Sequence, residues 1–292
     1  MEGNGSTAGS RAELKARGAR EARAAHPTRE WRGTDVARQI VVAVAVVGAL
    51  TCGFLGSGSL GGPSIRDAQG GALDADASLL APGRPAFGIW LLIYAGLIAY
   101  AVWQLLPRQR AAERQREIGW WIAATAVLNG LWIVTAVSAT LWATLVVIVL
   151  LLVALILTFR RAVLTAHPGS SWLDLLLIDG VTGLHVGWVT LATVANAAAL
   201  LGSVGAWNTG DEAWAAVVLV SLLFLGLIAS GVSGWRVAPP WAMGWGVLWI
   251  GLARLHGEPA SAVVGWTGIA VAITLFLVPL VLRVATALRS GD

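Results

Sequence analysis

The sequence predicts an all-α membrane protein, a bundle of about eight transmembrane helices with both termini in the cytoplasm. Three observations support this fold class. The 292-residue chain is 57% hydrophobic and only 12% charged, which is about half the charged fraction of a usual soluble domain. Its apolar residues are gathered into long runs. Its arginines lie in the N-terminal tail and in the segments that flank those runs.

Each apolar run is a candidate transmembrane helix, because a helix needs about 20 mostly apolar residues to cross the hydrocarbon layer. Pro85 and Pro107 bracket the second run. The seventh run is short and ends in Arg254 and His256, so its assignment is the weakest. The predicted spans lie at about 38–57, 86–107, 119–138, 140–159, 180–202, 213–233, 239–255 and 261–283.

The positive charges determine the predicted topology, because Lys and Arg concentrate in cytoplasmic connections. With the N-terminus inside, the outside segments hold only Arg66, Arg84 and Arg254. A seven-span chain would break this alternation. The protein is therefore expected to be a multi-pass protein of the cytoplasmic membrane, with the lipid bilayer as a partner. The inside segments hold the charges of the N-terminal tail and also Arg38, Arg108, Arg110, Arg114, Arg116, Arg160, Arg161, Arg236, Arg283 and Arg289.

Three segments make up the predicted organisation of the chain. Residues 1–36 form an Arg-rich cytoplasmic tail, which is either disordered or a helix on the anionic membrane surface. Residues 37–202 hold the first five spans, and residues 203–292 hold three additional ones. The longest outside connection, at 56–84, is rich in Gly, Ser, Ala and Asp. That composition predicts a flexible loop and not a folded domain.

The composition also excludes several classes of function. The only lysine, Lys15, lies in the tail, whereas a retinal Schiff base needs a lysine inside the bundle. The single cysteine, Cys52, cannot form an intrachain disulfide or a cysteine-based metal cluster. The pI near 10.2 reflects arginines beside apolar runs, so nucleic acid is not an expected partner. No catalytic motif is recognisable, and neither a metal site nor a firmly bound cofactor is predicted.

Tryptophan is the most unusual feature of the composition, with 16 residues against 5 Phe and 2 Tyr. Interfacial aromatic belts explain those at the ends of spans, namely Trp120, Trp121, Trp142, Trp172, Trp207, Trp214, Trp235 and Trp241. Others lie deeper, where an indole N–H needs a partner. These are the better candidates for a pocket: Trp90, Trp132, Trp188, Trp245 and Trp249.

The deep aromatic residues fall into stripes at helical spacing, which places each stripe on one face of its helix. Each stripe combines rings with hydrogen-bonding groups, as expected for a pocket that holds a flat, largely apolar ligand. A helix–helix interface also collects small residues and Asn, so pocket and packing both stay open. The stripes comprise Phe87, Trp90 and Tyr94 on span two, Asn129 and Trp132 on span three, and His185, Trp188, Ala192 and Asn196 on span five.

Polar residues near span five are the other candidates, because an ionised group at the bilayer centre costs at least about 3 kcal/mol. Asp174 and Asp179 are expected in the headgroup zone, where water satisfies them. His185 lies about one helical turn deeper. It is a ligand contact, a hydrogen-bonded packing residue or a haem ligand, and the packing interpretation is favoured. The chain lacks the paired histidines at depth that a haem with two axial histidines needs.

Three segments, in the same order, resemble the tryptophan-rich sensory protein family, also called the translocator or peripheral benzodiazepine receptor family. Residues 85–94, with Pro85, Phe87, Trp90 and Tyr94, resemble the family's motif at the start of its second helix. Residues 128–132, L-N-G-L-W, resemble its motif L-N-x-x-W on helix three. Residues 188–196 resemble its motif W-x-x-x-A-x-x-x-N on helix five.

The resemblance covers about 38–202 and implies a five-helix bundle around a ligand cavity. Family members bind tetrapyrroles and sterol-like molecules, and sensing, transport and porphyrin degradation have been assigned to them. Porphyrin or haem is therefore a candidate ligand. At Leu184 and His185 this chain departs from the Pro-Tyr pair usual in the family, and with its three additional helices it looks like the long, divergent branch. By this resemblance the cavity would be lined or supported by Trp90, Tyr94, Asn129, Trp132, Trp188, Ala192 and Asn196.

The leading functional hypothesis is a non-enzymatic membrane receptor or sensory protein that binds an aromatic or polycyclic small molecule, tetrapyrrole- or sterol-like. One alternative is a small-molecule transporter that uses all eight helices and His185 as a coupling group. Another is a membrane assembly protein whose Trp and Gly residues serve packing only. The sequence also permits a homodimer.

Overall fold

The structure is a computed structural model, and it describes residues 32–59, 61–167, 169–206 and 211–289. It is 81% helical, and the described residues contain no strand, which confirms the all-α membrane bundle. The predicted tail up to residue 31 and Trp207 lie outside the described residues. The long helices are α1 (Gly33–Gly56), α2 (Ile89–Gln104), α3 (Glu113–Ser138), α4 (Leu141–Thr165), α5 (Val181–Ser203), α6 (Glu212–Val232), α7 (Ala238–His256) and α8 (Ala262–Arg289).

Seven of these helices, extended at α2 and α5 by short helical turns, are long and apolar enough to cross a membrane, and α7 is the exception. Nevertheless, α7 runs the length of the bundle. Arg236, just before its start, pairs with Asp179, and Trp249 near its other end accepts a hydrogen bond from Gly83. Ten of its 19 residues are buried. Because neighbouring helices cover α7, it does not need the fully apolar surface of a lipid-facing helix.

Consecutive helices run in opposite directions, so α1 and α3 are parallel. Arg38 of α1 lies against Gly119 of α3, and Gly56 lies against Ile133 further along both helices. The end of the bundle away from Gly56 and Ile133 holds arginines that the sequence assigns to the cytoplasm. We call it the arginine-rich end, and the other, which carries residues 57–83, the loop end. Which end faces the cytoplasm stays a prediction. The arginine-rich end includes Arg38, Arg114, Arg116, Arg236 and Arg283.

Glycines allow α7 to approach its neighbours closely. A Cβ atom at Gly187 of α5 would lie 2.1 Å from the carbonyl oxygen of Pro239, and one at Gly251 would lie 2.8 Å from that of Gly265 in α8. Backbone therefore meets backbone at both places, as in the small-residue interfaces of membrane helices. These two interfaces tie α7 to the first five helices on one side and to α8 on the other.

A buried carboxylate, Asp35, anchors the start of α1 at the arginine-rich end. Its two oxygens accept hydrogen bonds of 2.7 and 2.6 Å from Arg116 of α3. Arg38 lies 3.5 Å from the same carboxylate and donates to the carbonyl oxygen of Arg110 at 3.0 Å. Asp35 and Arg38 are only 2% and 1% exposed. This network fixes the start of α1 against the start of α3.

A second buried carboxylate, Asp179, lies in a π-helical stretch, Leu175–Gly180, that leads into α5. It pairs with Arg114 of α3 and, at 3.0 Å, with Arg236 before α7. The prediction that water satisfies this aspartate is wrong, because arginines from two neighbouring segments surround its carboxylate. Asp174 differs, since it caps the preceding turn with a bond from the Ser171 hydroxyl at 2.8 Å.

The connection after α1, predicted to be flexible, packs instead over the loop end. Leu79 and Leu80 are each only 3% exposed. Gln69 Nε2 donates to the carbonyl oxygen of Ala136 at 2.8 Å and to the Thr144 hydroxyl at 3.2 Å. The prediction is wrong because a few apolar side chains and side-chain bonds to the helices hold the segment in spite of its Gly and Ser content. We call residues 61–83 the cover segment.

Candidate functional site

Five rings of the predicted stripes meet between α2 and α5. Trp90 stacks on Tyr94, with ring centroids 5.1 Å apart and an interplanar angle of 26°. Trp90 also makes T-shaped contacts with His185 at 5.7 Å and with Trp188 at 6.3 Å. Phe87 completes the group through a T-shaped contact with Trp188 at 5.6 Å. Stacked-offset and edge-to-face contacts are the favourable ones between aromatic rings, so these stripes form one packed aromatic cluster.

Hydrogen bonds join α3 to the same aromatic cluster. Asn129 Nδ2 donates to the Tyr94 hydroxyl, and Trp132 Nε1 donates to Asn196 Oδ1, each at 3.4 Å. Asn196 is oriented by its own bond, from Nδ2 to the carbonyl oxygen of Ala192 at 2.8 Å. All nine predicted residues therefore lie together where α2, α3 and α5 meet. This proximity leaves ligand binding itself as a proposal.

A lateral groove of about 580 Å³ runs beside the aromatic cluster, between α1 and α2. Trp90 and Tyr94 contribute to its wall, and its lining also includes Leu91 and Ile98, which are 79% and 44% exposed. Exposed apolar side chains of a transmembrane helix face lipid, so the lateral groove is open to the hydrocarbon layer. Its volume is within the range of about 300–1,000 Å³ for small-molecule sites.

A second, much smaller space lies beneath the cover segment, and we call it the inner cavity. Its volume is about 40 Å³, enough for no more than a few water molecules. Trp188, Ala192 and Asn196 of α5 line it. Phe87 and Trp132 line both the inner cavity and the lateral groove. Ile65 and Leu73 of the cover segment also line both spaces, so these four side chains together form the partition between them.

Two of the predicted residues, Asn129 and His185, line neither space. Both side chains are buried, and Asn129 Oδ1 and His185 Nε2 have no hydrogen-bond partner among the described residues. His185 packs against Trp90, which itself lines the lateral groove. A haem in the groove would therefore contact Trp90 and not His185. Of the three interpretations of this histidine, packing fits its buried position, although the expected hydrogen bond to Nε2 is absent among the described residues. Ligand contact and haem ligation stay predictions.

The wall that α1 contributes to the lateral groove has no counterpart among the predicted residues. Leu50 and Phe54 line the groove from this helix. Gly53 allows the approach of α2, since a Cβ atom there would lie 2.9 Å from the Tyr94 hydroxyl oxygen. The sequence does carry a signal for this contact, because Gly53 and Gly56 stand three residues apart at the end of a helix otherwise rich in Val and Ala.

The C-terminal helices support the aromatic cluster without lining the lateral groove. Trp245 of α7 donates its indole N–H to the carbonyl oxygen of Ala86, just before α2, at 2.8 Å. Gly246 lets α7 pack against α5, because a Cβ atom there would lie 2.7 Å from Leu191 and 3.2 Å from Trp188. The predicted need of a deep indole for a partner is met at Trp245 by this bond, but at Trp249 it is not, because the buried indole N–H of Trp249 has no hydrogen-bond partner among the described residues.

Charged groups among the described lining residues lie at the loop end of the two spaces. Arg66 lines the lateral groove, and Asp74 lines the inner cavity. Arg84 donates to Asp74 at 2.9 Å. This hydrogen bond is the main reason that the pKa of Asp74 is held below its ordinary value of 3.8. Asp74 is therefore ionised at neutral pH, and the deeper walls of both spaces are aromatic, aliphatic or neutral polar.

The chain is thus a polytopic membrane protein in which α2, α3 and α5 build an aromatic cluster beside an apolar groove. The family model described as TSPO-like protein matches residues 39–281. The chain belongs to this family, which confirms the resemblance seen in the sequence motifs. The match continues beyond residue 202 and so includes α6, α7 and most of α8. No curated protein and no solved structure matches the chain.

Proposed function

We propose that this protein is a ligand-binding or sensory protein of the cytoplasmic membrane that holds a flat aromatic or polycyclic molecule in the lateral groove. The observation that carries the proposal is the groove itself, an apolar space of about 580 Å³ with the stacked Trp90 and Tyr94 in its wall. Ligand pockets of this size, with mostly apolar walls and few polar groups, are the usual form of small-molecule sites.

The lining of the lateral groove favours a carboxylated tetrapyrrole over a sterol. The rings of Trp90 and Tyr94 offer contacts to a flat conjugated ligand. Arg66 is the single charged residue among the described lining residues, and a guanidinium group pairs well with a carboxylate. A tetrapyrrole with acid side chains uses both features, whereas a sterol lacks the flat aromatic face and the acid group.

Entry from the lipid fits the same arrangement. Leu91 and Ile98 line the lateral groove and are exposed on the outside of the bundle. A hydrophobic ligand dissolved in the bilayer therefore reaches the groove between α1 and α2 without crossing water. Arg66 lies at the loop end, where the acid groups of such a ligand would stay close to the interface.

A fluorescence titration of the protein in nanodiscs tests this proposal. Protoporphyrin IX should quench Trp fluorescence saturably, and its dimethyl ester should bind more weakly because it offers no carboxylate to Arg66. Replacing Trp90 by Phe should weaken the affinity about two- to tenfold, the range expected for loss of one aromatic contact. The affinity, taken from the shape of the titration, is the readout, since removing a tryptophan also lowers the signal.

Trp142→Phe is the matched control, because Trp142 is 63% exposed on the outside of α4. Its affinity for protoporphyrin IX should equal that of the wild type. Cholesterol represents the sterols, and it should bind more weakly than protoporphyrin IX. Quenching that rises linearly with porphyrin, or an affinity that is the same in the Trp90 and Trp142 variants, would show partition into lipid and would refute binding in the lateral groove.

A further inference from the structure

Arg254, near the end of α7, is a buried cation that is held by the cover segment. Its side chain is only 1% exposed. Nη1 donates to the carbonyl oxygen of Ser78 at 3.0 Å, and Nη2 donates to that of Ala75 at 2.7 Å. Both acceptors are backbone carbonyl groups, which carry no charge. The guanidinium group therefore depends on the position of the cover segment for its hydrogen bonds.

Two further bonds connect α7 to the same stretch of chain. The N–H of Gly83 donates to the carbonyl oxygen of Trp249 at 3.2 Å. The indole N–H of Trp245 donates to the carbonyl oxygen of Ala86 at 2.8 Å. Together with the bonds of Arg254, they attach residues 75–86 to one face of α7. The C-terminal helices, which do not line the lateral groove, thus hold the segment that closes it at the loop end.

The cover segment has space on both of its sides. Ser78, Ala81 and Pro82 border the inner cavity on the side of the aromatic cluster. Ala75 and Gly83 border an open pocket of about 580 Å³ on the side of α7. A segment between two such spaces is less tightly packed than a helix in the core, and such regions are the ones that open locally.

We propose that Arg254 is a positioning residue for the candidate site, through which α7 clamps the cover segment and controls access to the lateral groove. A partly opened segment would leave the guanidinium group buried without either acceptor, which is costly, whereas full release would expose it to water in the open pocket that Arg254 also lines. The clamp therefore favours two positions of the segment, docked and released. Ile65 and Leu73 of this segment also line the lateral groove, so its release changes the groove's shape. Control of access rests on the proposed function, whereas the clamp itself does not.

Hydrogen exchange of the protein in nanodiscs, measured by mass spectrometry without ligand, tests the clamp. Arg254→Met should speed amide exchange in residues 72–83 about tenfold, as expected for losing a hydrogen bond to a charged group. Arg254→Lys, which keeps the charge and the donors, should restore part of the protection. Arg283→Met is the control, since Arg283 also donates to a backbone carbonyl, that of Gly234, but at the arginine-rich end. It should leave exchange in residues 72–83 unchanged.

Unchanged exchange in Arg254→Met would overturn the clamp, and so would an even rise over all helices, which indicates general loss of stability. Trp245→Phe provides a second test should Arg254→Met not fold. It keeps a ring but removes the N–H bond to Ala86, and it should speed exchange at the end of the cover segment. Unchanged exchange there would count against the clamp.

Stopped-flow kinetics with protoporphyrin IX then test the control of access. Arg254→Met should raise both the association and the dissociation rate several-fold, because the released segment opens the loop end of the lateral groove. Unchanged rates in a variant with a loosened cover segment would overturn control of access. If the porphyrin does not bind the wild type, the proposed function fails, while hydrogen exchange still decides whether the clamp exists.

Discussion

The two ends of the bundle hold their buried arginines in different ways. At the arginine-rich end, the buried carboxylates Asp35 and Asp179 are each paired with two arginines. At the loop end, the buried Arg254 is held by two neutral carbonyl groups of the cover segment. The arginine-rich end is thus a junction between helices, whereas the loop end is a junction between α7 and the cover segment. Only the junction at the loop end can open without separating helices.

The difference also assigns separate tasks to the two ends. Asp179 joins α3, the start of α5 and the start of α7 through Arg114 and Arg236. Any movement there would separate oppositely charged groups in a buried setting, which is costly. The loop end borders both the lateral groove and the inner cavity, so a movement there changes access to the aromatic cluster. We therefore expect substitutions at the first end to lower global stability and those at the second to act locally.

Asp179→Asn should have the largest effect on stability. It removes the counter-charge of two arginines while keeping the size of the side chain, and loss of one partner of a buried ion pair costs about 3–5 kcal/mol. Equilibrium unfolding in detergent measures the loss. Asp174→Asn, in the capped turn near the surface, is the control and should cost about 1 kcal/mol. Equal losses in the free energy of unfolding of Asp179→Asn and Asp174→Asn would contradict the expectation that the buried ion pairs of Asp179 stabilise the whole fold.

Asp35→Asn should destabilise the protein less, by about 2 kcal/mol. The reason is that its buried partner Arg38 lies 3.5 Å from the carboxylate and keeps its 3.0 Å bond to the carbonyl oxygen of Arg110, while the half-buried Arg116 can turn to water when the carboxylate is lost. The same unfolding experiment compares the two variants directly. A loss as large as that of Asp179→Asn would mean that the bond of Arg38 to the carbonyl oxygen of Arg110 does not compensate for the missing carboxylate.

Arg84→Met should have the smallest effect of the three, because the side chain of Arg84 is 62% exposed and ion pairs of exposed side chains are weak. The effect should depend on pH. The pKa of Asp74 is lowered in the folded protein, so the pair stabilises the fold above pH 3.8, the ordinary value. This contribution is lost as the pH falls through the lowered pKa.

Unfolding of wild type and Arg84→Met as a function of pH measures this contribution. The difference in free energy of unfolding between them should be constant near neutral pH and shrink as the pH falls below 3.8. A difference that grows in acid would contradict the assignment of the pair to an ionised Asp74. Comparing the two proteins at each pH cancels the contribution of every group that they share.

The aromatic cluster shows how far sequence periodicity reaches. The spacing of Phe87, Trp90 and Tyr94 predicts one face of α2, and that face does meet the stripes of α3 and α5. The periodicity of a sequence is a local property. It therefore specifies which residues share a helix face, but not how deeply each of them is buried in the bundle. It therefore did not separate Trp90, which lines the lateral groove, from His185, which packs behind it.

Other features depend on which elements become neighbours. In the α1 wall, Gly53 and Gly56 hint at a close contact, but nothing local distinguishes Leu50 and Phe54 from ordinary lipid-facing residues. The composition of the cover segment predicts flexibility, yet burial of Leu79 and Leu80 and the bonds of Arg254 hold it in place. Arg254 counts against a seventh span when hydropathy alone is considered, whereas its hydrogen bonds make its burial possible.

The sequence by itself determined the all-α class, the positions of the apolar helices, the uneven distribution of arginines and the stripes that mark the family. These follow from hydropathy and helical period, which act within about 20 residues. The tertiary structure decided which charges are paired, how neighbouring helices cover α7, and that the cover segment packs over the loop end beside the aromatic cluster. Those outcomes depend on contacts between residues far apart in the sequence, from 57 positions for Asp179 and Arg236 to 176 positions for Arg254 and Ser78, and no local pattern specifies them.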